Sequence, residues 1–101
     1  MIEVTETAAQ AVMVSAASNE CEGMALRIAA RREEDSGIQY QMGFDDPREG
    51  DAAFESNGVT VVVDPLSQPL LNGLALDFGE LEGVVQFVFI NPNDRQGDVR
   101  G

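Results

Sequence analysis

The chain has no histidine, no tryptophan, no lysine and a single cysteine in 101 residues. One thiol excludes an intramolecular disulfide, and with no histidine it also excludes a zinc site of the usual Cys/His type within one chain. The missing imidazole removes the commonest general base near neutral pH. There is no Gly-x-Ser-x-Gly elbow for a serine nucleophile and no glycine-rich loop to cradle phosphate. Positive charge is scarce as well: six arginines face eighteen acids, for a net charge of −12. A direct grip on nucleic-acid phosphates needs a basic footprint, so that class is excluded, and anionic membranes are disfavoured for the same reason. No apolar run reaches the length of a membrane span, and the first residues lack a charged-then-apolar leader pattern. A cytoplasmic protein that is not an enzyme is the expectation.

What the chain does have is an ordinary globular composition, with 44% hydrophobic residues. One domain is expected at this length. Ile2-Glu3-Val4 alternates as a short strand. Thr5 is an expected helix N-cap, and Ala9, Val12, Met13 and Ala16 follow at helical spacing. Met24, Leu26, Ile28 and Ala30 then alternate with Ala25, Arg27, Ala29 and Arg31, a half-buried strand with arginines on its outer face. Arg32 to Gly37 is polar and reads as a turn. Ile38, Tyr40, Met42 and Phe44 alternate again, so the two strands form a hairpin. Asp45 to Asp51 is an acidic surface loop that lacks the ligand order of a calcium loop.

Phe54-Glu55 leads into Asn57-Gly58, a tight-turn signal, and Val59 to Val63 is β-branched throughout. Pro65 ends that strand, and Leu66 to Gly73 reads as an irregular turn or short helix. Leu74 to Phe78 is a short strand. Val84 to Ile90 is apolar on both faces, so it is expected in the middle of a sheet or covered on both sides. Pro92 stops it. Met13, Met24 and Met42 fall on expected core faces and read as packing residues, not soft-metal ligands. The sum is a β-rich α+β domain of about seven short strands and one or two helices.

Five stretches occur in a telling order: Asp35-Ser36-Gly37-Ile38-Gln39-Tyr40-Gln41-Met42-Gly43-Phe44-Asp45-Asp46, Val63-Asp64-Pro65-Leu66-Ser67, Leu76-Asp77-Phe78, Phe87-Val88-Phe89-Ile90, and Asn91-Pro92-Asn93. In that order and at those separations they resemble the A-type iron–sulfur cluster assembly proteins, the IscA/SufA/HesB family, over nearly the whole chain. Glu22-Gly23-Met24-Ala25-Leu26-Arg27-Ile28-Ala29-Ala30 with Met42-Gly43-Phe44-Asp45-Asp46 resembles most a cysteine-poor, DsrR-like branch, encoded among sulfur-oxidation genes. The resemblance implies a HesB-like compact β-sandwich of two small mixed sheets with an N-terminal helix packed alongside. The resemblance covers a domain over 1–94, and the polar residues 95–101 read as a flexible tail.

The resemblance also implies where chemistry would sit. Family members hold iron or a cluster with three cysteines. One precedes the Ser-Gly of the first stretch, and the other two form Cys-x-Cys after the Asn-Pro-Asn turn. Here those positions read Asp35, Asp98 and Arg100, counted without gaps. A carboxylate is a hard oxygen donor, whereas clusters are held mainly by soft thiolates. The expectation is therefore a protein with no cofactor, acting through contacts with a protein partner in iron–sulfur or sulfur metabolism, as an accessory or regulatory module. Its contact residues would be Arg27, Arg31, Glu33, Glu34 and Asp35, on the outer strand face and the acidic turn. The alternative is weak iron binding by Asp35 and Asp98, with the protein as an iron donor. Charged turns are ordinary solvated structure, which alone explains Asp35 and is the preferred reading of it. Cys21, between helix and strand, matches none of the family's ligand positions and reads as a bystander. The chain is expected to be a monomer or a homodimer.

Overall fold

A computed structural model describes residues 2–34 and 37–93. Its elements run β1 (Glu3–Val4), α1 (Glu6–Ser18), β2 (Ala25–Glu33), β3 (Gly37–Asp45), β4 (Ala52–Ser56), β5 (Val59–Val63), α2 (Gln68–Leu71), β6 (Ala75–Leu81) and β7 (Val84–Ile90). They form two mixed sheets, one ordered β1-β6-β7 and the other β3-β2-β5-β4. β1 runs parallel to β6, and β2 parallel to β5; the remaining pairs are antiparallel. The two-sheet sandwich implied by the resemblance is the fold observed.

Side-chain alternation explains the layers. Leu26, Ile28, Val61 and Val63 project from the larger sheet and Val4 and Leu76 from the smaller, all buried in one core with Ala8, Ala9 and Val12 of α1. Small alanines let α1 lie close. Its start is set by Thr5, whose Oγ1 accepts a hydrogen bond from the Ala8 amide at 3.1 Å. The same hydroxyl donates to Asp77 Oδ1 at 2.7 Å, so one side chain caps the helix and ties it to β6. Tyr40 on β3 stacks on Phe89 of β7 with ring centroids 4.4 Å apart, linking the sheets.

The turns follow local chemistry. Asn57 (φ 51°) and Gly58 (φ 85°) make the two-residue link between β4 and β5, both in the left-handed region that such hairpins require. Asn57 Nδ2 also donates to Val4 O at 2.7 Å, while Ser56 Oγ accepts from Val4 N at 2.9 Å. The free edge of β1 is thereby satisfied by side chains of the other sheet. Ser67 is the one buried polar residue among those described. Its Oγ accepts from the Ala30 amide at 3.0 Å, continuing the ladder where β5 has left β2.

Several sequence expectations need correction. β7 is not a central strand among the described residues: there it pairs with β6 alone, and Val84, Val85 and Ile90 stand 57%, 63% and 55% exposed. Its apolar composition on both faces is the same signal a covered strand gives, and nothing in it counts neighbours. Met13 and Met24 are not core residues but lie exposed at the rim. Ala8, Ala9 and Val12 take the buried stripe of α1, and Met13 falls one position past it. The strand β2 continues through Arg32 and Glu33, where a turn was expected, because both pair with β3. No helix among the described residues is long and apolar enough to cross a membrane. The expectation of a flexible tail over 95–101 falls outside the described residues.

Candidate functional site

The site implied by the sequence sits at the tip of the β2–β3 hairpin. Glu33 faces Gly37 across the ladder. Gly37 has φ 80°, a conformation costly for residues with a Cβ. Asp35, Asp98 and Arg100 lie outside the described residues. Glu34 is exposed. Arg31 Nε meets Glu33 Oε2 at 2.7 Å, but the arginine side chain is 80% exposed, so the pair contributes about 0–1 kcal/mol.

The structure brings the end of the Asn-Pro-Asn turn to the end of β2. Arg32 Nη2 donates to Asn93 O at 3.1 Å, which sets the end of the Asn-Pro-Asn turn beside the hairpin. That turn is itself clasped. Asn91 Nδ2 donates to Leu70 O at 2.7 Å and to the Tyr40 hydroxyl at 3.0 Å. Asn93 Nδ2 donates to Asn72 O at 2.7 Å. These amides take up carbonyls that the end of the short helix α2 leaves without helical partners.

Cys21 is elsewhere. It is half-buried after α1, with its thiol donating to Asn19 O at 3.4 Å. It precedes β2, whereas the tip follows β2. The strand between them is nine residues long, which spans roughly 27 Å. One chain therefore cannot bring its thiol to the tip. Among the described residues, no three thiols or carboxylates converge as a metal site would require. The described residues do not supply a cluster's donor set, because clusters are held by cysteine thiolates.

Arg27, expected at an open face, is committed within the chain. Its Nε meets Asp45 Oδ2 at 2.8 Å, its Nη2 meets Asp51 Oδ2 at 2.7 Å, and Nη2 also donates to Asp46 O. The Arg48 amide adds a hydrogen bond to Asp51. The Asp51 carboxyl is held down to about 2, first by the hydrogen bonds from Arg27 and then by that amide. Asp45 is lowered as well, first by the Asp46 amide and then by Arg27, and the Arg27 guanidinium is raised, chiefly by Asp51. The acidic loop is thus a strap folded over β2, with Asp45 and Asp51 paired to arginine.

A groove of about 580 Å³ opens beside the tip, lined by Arg31, Arg32, Gln39, Pro65, Leu66 and Leu70. Leu66 stands 88% exposed in it. Sequence reasoning missed this groove, although a leucine within a Pro-Leu-Ser turn was the available signal.

The family described as iron–sulphur cluster biosynthesis matches residues 1–96. This chain belongs to that family. It is 43% identical over 94 residues to the iron-binding protein IscA of Pectobacterium atrosepticum, covering 91% of this chain and 86% of that one. It is 42% identical over 92 residues to the iron-sulfur cluster insertion protein ErpA of Alkalilimnicola ehrlichii, covering 89% and 75%. Among solved structures, IscA with a [2Fe–2S] cluster superposes with a TM-score of 0.78 at 28% identity, covering 91% of this chain and 86% of that one. This family member keeps the scaffold of those proteins with one cysteine in its sequence.

Proposed function

We propose that this chain is a cluster-free member of the family that serves iron–sulfur or sulfur metabolism through protein contacts. One observation carries the reading: Arg32 at the end of β2 bonds the end of the Asn-Pro-Asn turn, while the chain's sole thiol lies before the other end of β2. A scaffold that folds without its ligands retains its surfaces. The surface next to the tip pairs two arginines, Arg31 and Arg32, with exposed Leu66 in one groove. Arg31 is paired with Glu33 and Asp64 lines the same groove, so Arg32 is the cation there that no described carboxylate pairs with, set beside apolar area. It suits a partner segment that combines a carboxylate with an apolar side chain. Glu33, Glu34 and Asp35 would set its orientation from the loop side. Arg27, satisfied by its own aspartates, supports the sheet instead of meeting the partner. The DsrR-like, sulfur-oxidation placement agrees with the shortage of cysteine.

Anaerobic incubation with iron and sulfide, followed by desalting, tests the cluster-free part. A colourless, iron-free product is expected. Sulfide-to-iron charge-transfer bands on the purified chain would refute it, and retained iron without such bands would favour the carboxylate site at Asp35 and Asp98. The contact surface is tested by NMR titration of the labelled chain with cluster-loaded IscA. Shifts should gather at Arg31, Arg32, Glu33 and Leu66. Shifts elsewhere, or none, would count against the groove.

A further inference from the structure

Two large apolar side chains exposed among the described residues, Met13 and Met24, line one groove of about 470 Å³. It opens where β2 begins, whereas Arg32 and Asn93 meet where β2 ends. Methionine is favoured on adaptable binding surfaces because its thioether chain is unbranched and polarizable. An exposed apolar patch rimmed by polar groups is the usual form of an interaction site.

Local structure builds the groove. After α1, Cys21 N donates to Ala16 O at 2.7 Å and Met24 N to Cys21 O at 3.0 Å, so the chain turns back at once and sets Met24 beside the helix. Glu20 takes φ 57° to make that turn. Met13 falls one position past the buried stripe of α1 and extends its methyl over Gly58, where a Cβ would stand 3.2 Å from Met13 Cε. Phe44, opposite Leu26 in the β2–β3 register, and Pro47 of the strap complete the apolar lining.

The free charges around it are of one sign. Glu22 lines the groove, and no described residue pairs with its carboxylate. Thr60, also on the lining, donates to Glu55 Oε2 at 3.2 Å, which holds a second carboxylate at the edge. No arginine lines the groove, and Arg48, next to Pro47, is committed to Asp45 at 2.7 Å. We propose that this groove binds a basic segment of a partner protein. An aromatic or leucine side chain of that segment packs on Met13 and Met24, and flanking lysines or arginines reach Glu22 and Glu55.

Charge selects this occupant. A segment carrying carboxylates would meet Glu22 and Glu55 with no counter-charge, and a purely apolar one would leave both unpaired at the rim. The net charge of −12 also draws a cationic segment from a distance. Thioether sulfur packs favourably against an aromatic ring, so an aromatic anchor binds more tightly than leucine. This groove goes beyond the Arg32 surface, which suits a segment of the opposite charge at the opposite end of β2. Either can fail while the other stands.

The chain has no tryptophan, so a synthetic Lys-Leu-Lys-Trp-Lys-Leu-Lys peptide can be titrated by its own fluorescence while NMR follows the methionine methyls of the full chain. The tryptophan emission should shift to the blue. The Met13 and Met24 methyl signals should move, and that of Met42, half-buried on β3, should stay. Binding should weaken several-fold between about 50 mM and about 500 mM salt. Met13→Gln with Met24→Gln, which keeps length and charge, should weaken it about ten-fold. Glu22→Lys should weaken it more than Glu80→Lys, the same charge change at an exposed position on β6. A Lys-Ser-Lys-Ser-Lys-Ser-Lys peptide should leave the methyls unmoved. Equal effects of the two lysine variants, or equal methyl shifts from the serine peptide, would reduce the binding to bulk charge and overturn the proposal. Unshifted Met13 and Met24 methyls would overturn it as well, as would a double glutamine variant that binds like the wild type. If that variant does not fold, the two lysine variants decide.

Discussion

Ser67→Ala should destabilise the domain by about 2 kcal/mol, although it removes a single oxygen atom. The side chain is 2% exposed, and its Oγ accepts from the Ala30 amide at 3.0 Å. Its single proton is shared between Ala30 O and Asp64 Oδ2, each at 3.3 Å. Alanine would leave the Ala30 N–H without a partner, along with a carbonyl. A buried orphan costs about 1–3 kcal/mol. Ala30 is only half-buried, so water recovers part of the loss for the carbonyl, and the sum settles near the middle of that range. For a domain of this size the melting midpoint should fall by roughly 8–16 °C. Urea unfolding followed by circular dichroism gives the free energy, and exchange of the Ala30 amide gives the local cause. Leu66→Ser, one residue away but exposed, should change stability by less than about 0.5 kcal/mol. The reasoning fails if Ser67→Ala is as mild as Leu66→Ser and the Ala30 amide exchanges at its wild-type rate.

Thr5→Ala removes the helix cap and the bond to Asp77 together, and should cost about 1–2 kcal/mol in urea unfolding. The Asp77 carboxyl, held low first by Thr5 and next by the Phe78 amide, should titrate at higher pH in that variant, as read by NMR. Acid should weaken the wild-type fold through Asp51. Its carboxyl sits at about 2 in the folded chain against an ordinary 3.8, so its contribution is complete above that ordinary value and is lost as pH falls from about 4 towards 2. Asp51→Asn should be less stable at neutral pH and show a flatter stability curve across that window; an unchanged slope would mean that another carboxylate dominates.

Local chemistry made most of the fold legible. Alternation gave the strands their faces, Asn57-Gly58 gave a hairpin of fixed register, and Thr5 gave the start of α1. Long-range placement was less legible. Arg27 read as a solvent-facing charge because its partners lie 18 and 24 residues away along the chain, and only folding lays the Asp45–Asp51 strap across it. β7 read as covered because a strand's composition records how apolar its surroundings can be, not how many strands flank it. Among the described residues its sheet has three strands, with β7 at one edge. The groove beside Leu66 needed the loop after β5 to be placed against the hairpin tip. Asp35 and Asp98 were legible as positions but lie outside the described residues.

The stretches that carried the family resemblance turn out to have structural work of their own. Asp64 accepts from the Ser67 amide at 2.9 Å and shapes the turn that delivers the Ser67 hydroxyl to β2. Asp77 anchors the start of α1 through Thr5. Asn91 and Asn93 clasp the carbonyls of Leu70 and Asn72. Tyr40 stacks between the sheets. Each satisfies a backbone group or fills space, and none is a thiolate. The resemblance therefore reports how the chain folds, and it would persist whichever side chains stood at the hairpin tip. That is why the fold could be recognised from sequence while the family's metal chemistry could not be carried over: the clasps and the ligands are separate sets of residues, and this chain keeps the first without the second.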